Sequence, residues 1–337
     1  MLQLKNETPF KATIGKLPNV EGVDTLYLIV SATFDLKPRL QLAEHQCTPV
    51  LGDDYFDSPT ESSLRYPGEL HLGKPGTDVI VHGFARAPAG KPVSQLQVGV
   101  RVGNRDKSVL VTGDRHWLGI EASKPLPFRE LPLRYEHAFG GCLRDRDRII
   151  ETEDRNPLGV GLGIALGYGK PGDVLPNIED PRHRLRERER CVPAGLGCIA
   201  PSWQPRRALA GTYDERWRRT RAPYVPEDFQ LKFFSCAAEG LHFEPDLRGG
   251  EPLVVVGMSD AGPIYSAIPT CVLEAGFVLN AQRLSAPCVL QTVLIEPDDN
   301  RLRLTFHAQL ACDKRALEVE RIEVKLSSLD LSVPRSV

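Results

Sequence analysis

The stretch LYLIVSATFDL, residues 26–36, is rich in β-branched and aromatic residues, which favour an extended strand. Three similar segments follow it at 78–84, 93–102 and 108–112, separated by the turn-rich sequences PAGKP and GNRDK. Short strands joined by such turns are typical of an antiparallel meander rather than of βαβ units. The first third of this 337-residue chain is therefore predicted to be β-structure.

The last third repeats this pattern and adds a hairpin signal. Candidate strands lie at 228–234, 252–258, 264–268, 271–278, 289–296, 302–309 and 316–326. The sequence PDDN (297–300) predicts a tight turn, with proline first and asparagine late. The alternation of apolar and charged residues in the last strand slips at Glu320–Arg321, which predicts a β-bulge there.

The middle of the chain, residues 125–227, has a different character because prolines recur throughout it and exclude long helices and central strands. We therefore predict a mainly β fold, with antiparallel sandwich-like sheets at both ends and a long Pro/Gly/Arg-rich loop region with short helices between them. The regions are an amino-terminal β-rich half (1–124), the loop-rich middle (125–227) and a carboxyl-terminal β-rich half (228–337). The two halves pack as one composite domain or as two, and both arrangements stay open.

Composition and targeting signals limit the class of protein that the sequence can encode. The amino terminus MLQLKNETPF lacks the pattern of a signal peptide, and no run of about 18 apolar residues occurs, so we expect a cytoplasmic protein without membrane contact. The eight cysteines are scattered without a C-x-x-C pair, which favours free thiols over a zinc site. We expect no metal and no cofactor.

Two segments come close to nucleotide or nucleophile motifs without matching them. The glycine-dense stretch 156–173 has Pro157 before its glycines and Pro171 after them, so no helix can begin cleanly there to bind a phosphate. A glycine-rich loop lying close against another backbone explains this stretch better. In GMSDAG (257–262), Ala261 replaces the second glycine of a nucleophile elbow, which favours a strand–turn–strand unit. We therefore predict that the protein is not an enzyme.

The middle region is mildly basic and dominated by arginine. Residues 144–221 contain 16 basic and 12 acidic residues, and 15 of the basic residues are arginine. This excess is too small to indicate nucleic-acid binding by itself. The charge run EDPRHRLRERER (179–190) is typical of a solvated helical turn, and an electrostatic docking face for an acidic partner is the functional alternative.

The segment GTYDERWRRTRAPYVPEDF (211–229) predicts a short helix. Thr212 and Glu215 have the spacing of a capping box, and Pro223 ends the helix. Tyr213 and Trp217 share one helix face. Burial of this face against the protein's own β-core is favoured, and a client surface is the alternative.

Eight sequence segments occur in an order that resembles the bacterial domain-of-unknown-function family 2169 over about residues 70–270. They are HLGKPGTDVIVHGFARAPAGKPV (71–93), VTGDRHW (111–117), PLRYEHAFGG (132–141), NPLGVG (156–161), LPNIEDP (175–181), GTYDERW (211–217), VPEDF (225–229) and RGGEPL (248–253). The arginine-heavy run 182–190 departs from the common pattern.

The resemblance implies a cytoplasmic adaptor or chaperone of type VI secretion. Such a protein binds and stabilises a secreted effector, a PAAR-type tip protein or both for loading onto the spike, with the spike protein as a further possible partner. No catalytic residues carry over. Candidate partner-binding residues are Tyr135, Glu136, Phe139, Asn156, Asn177, Glu179, Asp180, Arg184, Arg186, Trp203, Tyr213, Asp214, Trp217 and Asp228.

Two other classes of function remain as alternatives. A hydrolase acting on glycans would use two carboxylates facing a cleft, with Asp214 or Glu136 as acid or base. A nucleic-acid-binding module would use the arginine-rich middle. The adaptor hypothesis is preferred, with no nucleic-acid partner, because arginine, tryptophan and tyrosine carry much of the binding energy at protein interfaces.

Overall fold

Strands dominate the structure, a computed structural model that describes residues 2–37 and 39–333. The amino-terminal strands are β1 Gln3–Glu7, β2 Lys11–Pro18, β3 Asp24–Asp35, β4 Gln41–Leu42, β5 Asp54–Tyr55, β6 Leu64–Tyr66, β7 Thr77–Val81, β8 Phe84–Arg86, β9 Gln95–Val102 and β10 Arg105–Thr112. The middle strands are β11 Glu130–Pro132, β12 Phe139–Gly140, β13 Cys142–Asp145, β14 Arg148–Thr152, β15 Val160–Gly161 and β16 Ile178–Glu179. The carboxyl-terminal strands are β17 His242–Phe243, β18 Pro252–Val256, β19 Ile264–Ala267, β20 Thr270–Leu279, β21 Gln282–Pro287, β22 Val289–Glu296, β23 Arg301–Ala311 and β24 Val319–Asp330.

Helices are short and few in the described part of the chain. The α-helices are α1 Leu162–Ala165 and α2 Glu215–Thr220. Single 3₁₀ segments lie at Pro88–Gly90, Tyr135–His137, Arg206–Leu209, Leu231–Phe234, Pro297–Asp299 and Asp313–Glu318. No helix among the described residues combines the length and the apolar content needed to cross a bilayer.

Three large sheets contain strands from both ends of the chain. Their orders are β17-β7-β22-β23-β3-β2, with β4 beside β3; β1-β24-β20-β21; and β16-β10-β9-β18-β19. Within them, β1 pairs with β24 and β7 with β22 in parallel, while the other neighbours are antiparallel. The predicted mainly β fold with mostly antiparallel sheets and short helices is confirmed. The amino- and carboxyl-terminal strands are thus interleaved in common sheets.

The stretch 26–36 lies at the centre of this arrangement. It forms most of β3, which lies between β2 and β23 and has ten consecutive buried residues, from Thr25 to Phe34. A strand covered on both faces is expected to be apolar along its whole length rather than at alternate positions. One continuous apolar core includes Phe34, Val100 and Phe277, one from each large sheet.

One turn and one β-bulge predicted in the last third are confirmed by the local geometry. PDDN joins β22 to β23, and Asn300 adopts a left-handed conformation with φ of 53°. The side chain of Asn300 also bonds the backbone N–H and C=O of Lys37, which fixes the turn against the next loop. In β24, the register against β20 skips Glu320, so the slip in the alternation is a bulge.

Several local predictions are wrong. Residues 228–234 do not form a strand but end in a 3₁₀ segment, Leu231–Phe234. Phe233 and Phe234 contact each other, and both contact Phe229, with ring centroids 5.4–5.6 Å apart. Because consecutive side chains of a strand point to opposite faces, a turn is needed to gather these rings in one cluster. Residues 78–84 also leave the expected meander, since β7 pairs with β22 and β17 instead of β9.

The two charged or glycine-rich segments of the middle also differ from expectation. The run 179–190 contains turns instead of a helix, because Asp180 accepts bonds from the backbone N–H of Arg182 and of His183. Within 156–173, the short helix α1 does form after Gly161, whose φ is 94°, and buries Leu162 and Ile164. The expected close approach of glycine backbones is confirmed, because a Cβ at Gly141 would overlap the carbonyl oxygen of Gly159.

Candidate partner-binding surface

Buried polar side chains hold the loops of the middle region in place. Asn156 is fully buried, and its Nδ2 donates to the carbonyl oxygens of Tyr135 at 2.8 Å and Phe139 at 2.9 Å. Asn177 donates to the carbonyl oxygen of Thr112 and to Asp114 Oδ1, both at 3.0 Å. These amides satisfy backbone groups that regular ladders leave unpaired, as buried polar groups require.

Charged and aromatic residues of the middle region make further interior contacts. Glu179 is buried and forms an ion pair with Arg115 at 2.7 Å, while Arg184 lies 3.5 Å from the same carboxylate. Buried Tyr135 and Trp203 pack edge to face, with centroids 5.6 Å apart. Burial raises the pKa of the Tyr135 phenol far above its ordinary value.

The fourteen candidate residues therefore divide by exposure. The structure places Tyr135, Phe139, Asn156, Asn177, Glu179 and Trp203 in the interior, and half-buried Glu136 accepts two bonds from Ser63. Side chains that reach solvent belong to Asp180, Arg184, Arg186, Tyr213, Asp214, Trp217 and Asp228. The interior group shapes the loops, and the second group is available to a partner.

One largely exposed segment of the middle region contains helix α2, and we call residues 211–228 the arm. Its base is closed by Asp228, which accepts bonds from the backbone N–H of Thr212 at 2.9 Å and from its hydroxyl at 2.8 Å. Because Thr212 is held there, the helix cap is Asp214 instead, whose Oδ1 accepts from the N–H of Trp217. The predicted helix exists, but its predicted capping box is wrong.

The arm is held together mainly by its own residues. Trp217 Nε1 donates to the carbonyl oxygen of Tyr224 at 2.8 Å, and Trp217 packs edge to face on Tyr213 at 4.8 Å. Contact with the body runs through Arg221, which donates to the carbonyl oxygen of Val20, and through the Tyr224 ring over Gly22. Helix α2 has no buried residue.

The aromatic residues of the arm do not join the β-core. Tyr213 is 55% exposed, and neither it nor half-buried Trp217 belongs to the apolar core described above. The favoured expectation of burial against the β-core is therefore wrong. The arm presents arginine and aromatic side chains together, the composition that dominates binding energy at protein interfaces.

A second exposed surface lies where two loops meet, and we call it the apolar tip. It consists of Leu118, Ile120, Tyr168 and Val174, which are 50–86% exposed. The loops are joined by a bond from the N–H of Trp117 to the carbonyl oxygen of Asp173 at 2.8 Å. The tip is not predictable from the sequence, because no pattern in a single sequence tells an exposed apolar residue in a loop from a buried one.

Two cavities, of about 610 and 480 Å³, meet along one side of the middle region. Both are lined by Lys107, Val192, Pro193, Glu239 and Gly240. The first extends along β10 to Asp180–Arg182, and the second extends over Tyr135, Arg155 and Arg206 to Lys232. Their walls combine apolar and charged groups. Lys107 and Glu239 are far apart in the chain, so no local sequence pattern indicates that they line the same cavity.

A buried ionic cluster lies beneath the second cavity. Asp78, fully buried in β7, contacts Lys74 Nζ at 2.6 Å and His242 Nδ1 at 2.8 Å and accepts from the N–H of Cys236 at 2.9 Å. Burial alone would raise the pKa of Asp78, but Lys74, His242 and the Cys236 N–H together hold it well below its ordinary value. The cluster links residues 236–242 to β7.

The same cluster bears on the hydrolase alternative. A carboxylate–histidine pair serves acyl transfer when its second imidazole nitrogen bonds a hydroxyl or thiol. Among the described residues, His242 Nε2 has no hydrogen-bond partner. The two carboxylates predicted from the sequence to act as acid or base make structural hydrogen bonds, since Asp214 caps α2 and Glu136 accepts from Ser63. They line no common cavity among those described. In the described part of the chain, no group of three or more His, Cys, Asp or Glu could hold a metal ion.

The arginines of 182–190 are matched by acids. Each of the five lies within 4 Å of a carboxylate, and the partners are Asp180, Glu179, Glu189, Glu187 and Glu151 in chain order of the arginines. Such pairing offsets the local positive field on which non-specific binding to nucleic acid depends.

Comparison with known proteins identifies a family. The family model described as "Uncharacterized protein conserved in bacteria (DUF2169)" matches residues 21–307. Neither the curated proteins nor the solved structures contain a match to the chain. The matched range includes the buried amides, the ionic cluster, the cavities and the arm. The chain therefore belongs to the bacterial DUF2169 family.

Proposed function

We propose that this protein is a non-enzymatic adaptor that binds and stabilises another polypeptide through its middle region. The observation that carries the proposal is the arm. Its helix buries no residue and displays three exposed arginines beside Tyr213, Trp217 and Tyr224. A segment of this kind buries little apolar surface against its own fold, and a partner surface would bury its aromatic side chains.

The apolar tip supports the same proposal. Large exposed apolar patches on soluble proteins mark surfaces for protein or membrane contact. The loops that carry the tip are anchored by Asn177 and by the Glu179–Arg115 ion pair, whereas the arm is closed at its base by Asp228. A preorganised surface binds at a smaller cost in entropy than a flexible one.

The resemblance of its motifs to type VI secretion adaptors suggests the client. We propose that the client is a secreted effector or a PAAR-type tip protein, held in the cytoplasm until it is loaded onto the spike. This assignment rests on the resemblance, whereas the arm and the tip support protein binding in general.

Co-expression with a secreted effector or PAAR-type protein encoded next to this gene tests the proposal. We expect the two proteins to co-purify and the effector to accumulate to a higher level when this protein is present. The proposal fails if they never co-purify and the effector level is independent of this protein.

A further inference from the structure

Strand β10 has one edge that is fully paired and one that is mostly open. On one side, β9 pairs with all eight residues, Arg105–Thr112. On the other side, β16 pairs only with Leu110 and Val111. Residues 105–109 therefore form an open sheet edge, a structure that readily accepts a further strand.

The hydrogen-bond pattern shows which groups face that edge. Thr112 N–H donates towards β16, to the carbonyl oxygen of Asn177 at 2.8 Å, whereas Gly113 N–H donates to Ser94 on the β9 side at 3.0 Å. Because bonding direction alternates along a strand, Asp106 and Ser108 direct their N–H and C=O groups to the open edge. Within the described residues, neither N–H group has a hydrogen-bond partner.

The cavity of about 610 Å³ runs along this edge. It is lined by the consecutive residues Asp106–Val109 and, opposite them, by Val192–Ala194 and Asp180–Arg182. Four strand residues span roughly 13 Å. The open edge thus faces a recess with an apolar wall, which is accessible to a single extended chain.

The protein's own chain does not fill the recess, for a reason visible in the sequence. In the register of β16, Glu179 lies opposite Leu110, so Pro181 falls opposite Ser108. Proline has no N–H to donate. The chain also turns away, because Asp180 Oδ1 accepts from the N–H of Arg182 at 2.8 Å.

The charges at the recess favour a basic occupant. Arg182 pairs with Asp180 at 3.1 Å, and Lys107 Nζ donates to the carbonyl oxygen of Glu239. Asp106 and Glu239 also line the recess, and among the described residues neither carboxylate has an ion-pair partner. A lysine or arginine side chain would complement them.

We propose that the open edge of β10 binds an extended segment of the partner polypeptide as an added β-strand, with a lysine or arginine of that segment at Asp106 and Glu239. The inference rests on the proposed adaptor function and specifies how the client is held. Backbone bonds to Asp106 and Ser108 supply affinity for any extended chain, and the two carboxylates select a basic one.

A proline pair provides the test. Ser108→Pro removes an N–H directed to the open edge. Tyr265→Pro is the matched control, because Ile268 N–H bonds towards β18 and Tyr265, three residues earlier on edge strand β19, therefore directs its N–H to solvent. The probes are fluorescein-labelled short peptides that tile the sequence of the co-purified client. We expect Ser108→Pro to lower the affinity of the bound peptide at least about tenfold and Tyr265→Pro to leave it unchanged.

A charge variant tests the same proposal independently in case the proline variant does not fold. Asp106→Lys combined with Glu239→Lys should weaken binding of a basic peptide by about tenfold or more. Asp260→Lys, an exposed acid outside the recess, should not. In hydrogen exchange on the co-purified complex, the Asp106 and Ser108 amides should exchange more slowly than in the free protein.

The outcomes separate this inference from the proposed function. If the complex forms but no peptide binds, or if Ser108→Pro and the charge variant bind as the wild type does, the open edge is not the client site and the adaptor function stands. If no complex forms, both fail. Slower exchange confined to the arm would likewise overturn strand addition.

Discussion

At the scale of single residues, the interior contains ionisable side chains whose protonation is coupled to folding. His71 and His307 are buried and stack with ring centroids 4.4 Å apart. Both ring nitrogens of His307 lack a hydrogen-bond partner among the described residues. Burial and the nearby Lys74 lower the pKa of His307 to about 3. This imidazole therefore stays neutral in the folded protein at pH values where the unfolded chain is protonated.

The sign of the resulting pH dependence follows from linkage. Below about pH 6.5 the unfolded state binds a proton at His307 that the folded state does not, so stability present at neutral pH is lost as the pH falls. We predict that His307→Phe, which keeps the stacked ring, loses less unfolding free energy than the wild type between about pH 6.5 and 5. The difference should approach about 2 kcal/mol.

Urea denaturation at the two pH values measures this difference. His45→Phe, at an exposed position, is the control and should retain the wild-type pH dependence. An equal loss of stability in His307→Phe and the wild type would contradict the prediction.

Asn156 offers a second prediction at the residue scale. Asn156→Ala removes the side-chain donor of the Phe139 carbonyl group, whereas the Tyr135 carbonyl group keeps the N–H of Ala138. Since one unsatisfied buried group costs about 1–3 kcal/mol, we expect the unfolding free energy to fall by about 1–3 kcal/mol. Asn104→Ala, in the exposed turn between β9 and β10, should change it by less than about 0.5 kcal/mol. Chemical denaturation compares the two variants, and equal effects would contradict the role assigned to Asn156.

At the scale of elements, the arm and the scaffold respond differently to the loss of a tryptophan. Trp217 lies outside the β-core, whereas Trp203 is buried and packs on Tyr135. We predict that Trp217→Ala changes the unfolding free energy by less than about 1 kcal/mol and abolishes co-purification with the client. Trp203→Ala should lower stability by about 3–5 kcal/mol.

Thermal denaturation and co-purification together test this contrast. A large loss of stability in Trp217→Ala would show that the arm supports the fold. Unchanged co-purification with retained folding would remove the arm from the client-binding surface.

At the scale of the whole molecule, the two β-rich ends depend on each other. Strand β3 pairs with β23 along eleven residues, and β1 pairs with β24. Each end alone would expose strand edges and one side of the common core. We therefore expect cooperative folding of the full chain.

Fragments test this interdependence. We predict that residues 1–124 and residues 228–337, expressed separately, lack the dispersed amide spectrum of a folded protein by NMR, whereas the full chain unfolds in one thermal transition. Two separate transitions, or a folded fragment, would contradict the prediction.

Residue type and spacing along the chain are enough to predict the strands and turns that depend on a local pattern. β3, the β22–β23 hairpin and the β24 bulge were predictable because residue type and spacing alone fix extended backbone, turn and slip. The helix of the arm was predictable in place but not in its cap, because the competing partner of Thr212 is Asp228, sixteen residues away.

What those elements contact depends on how the whole chain packs in three dimensions. The parallel β7–β22 pair, the Asp78 cluster and the recess at β10 join residues far apart in the chain, and no local pattern encodes such partners. Exposure also depends on packing. Asn156 and Trp217 both lie in loop segments of the middle region, yet Asn156 is buried and Trp217 is half-exposed. Local sequence fixes backbone conformation, whereas burial depends on which distant segments the core brings together.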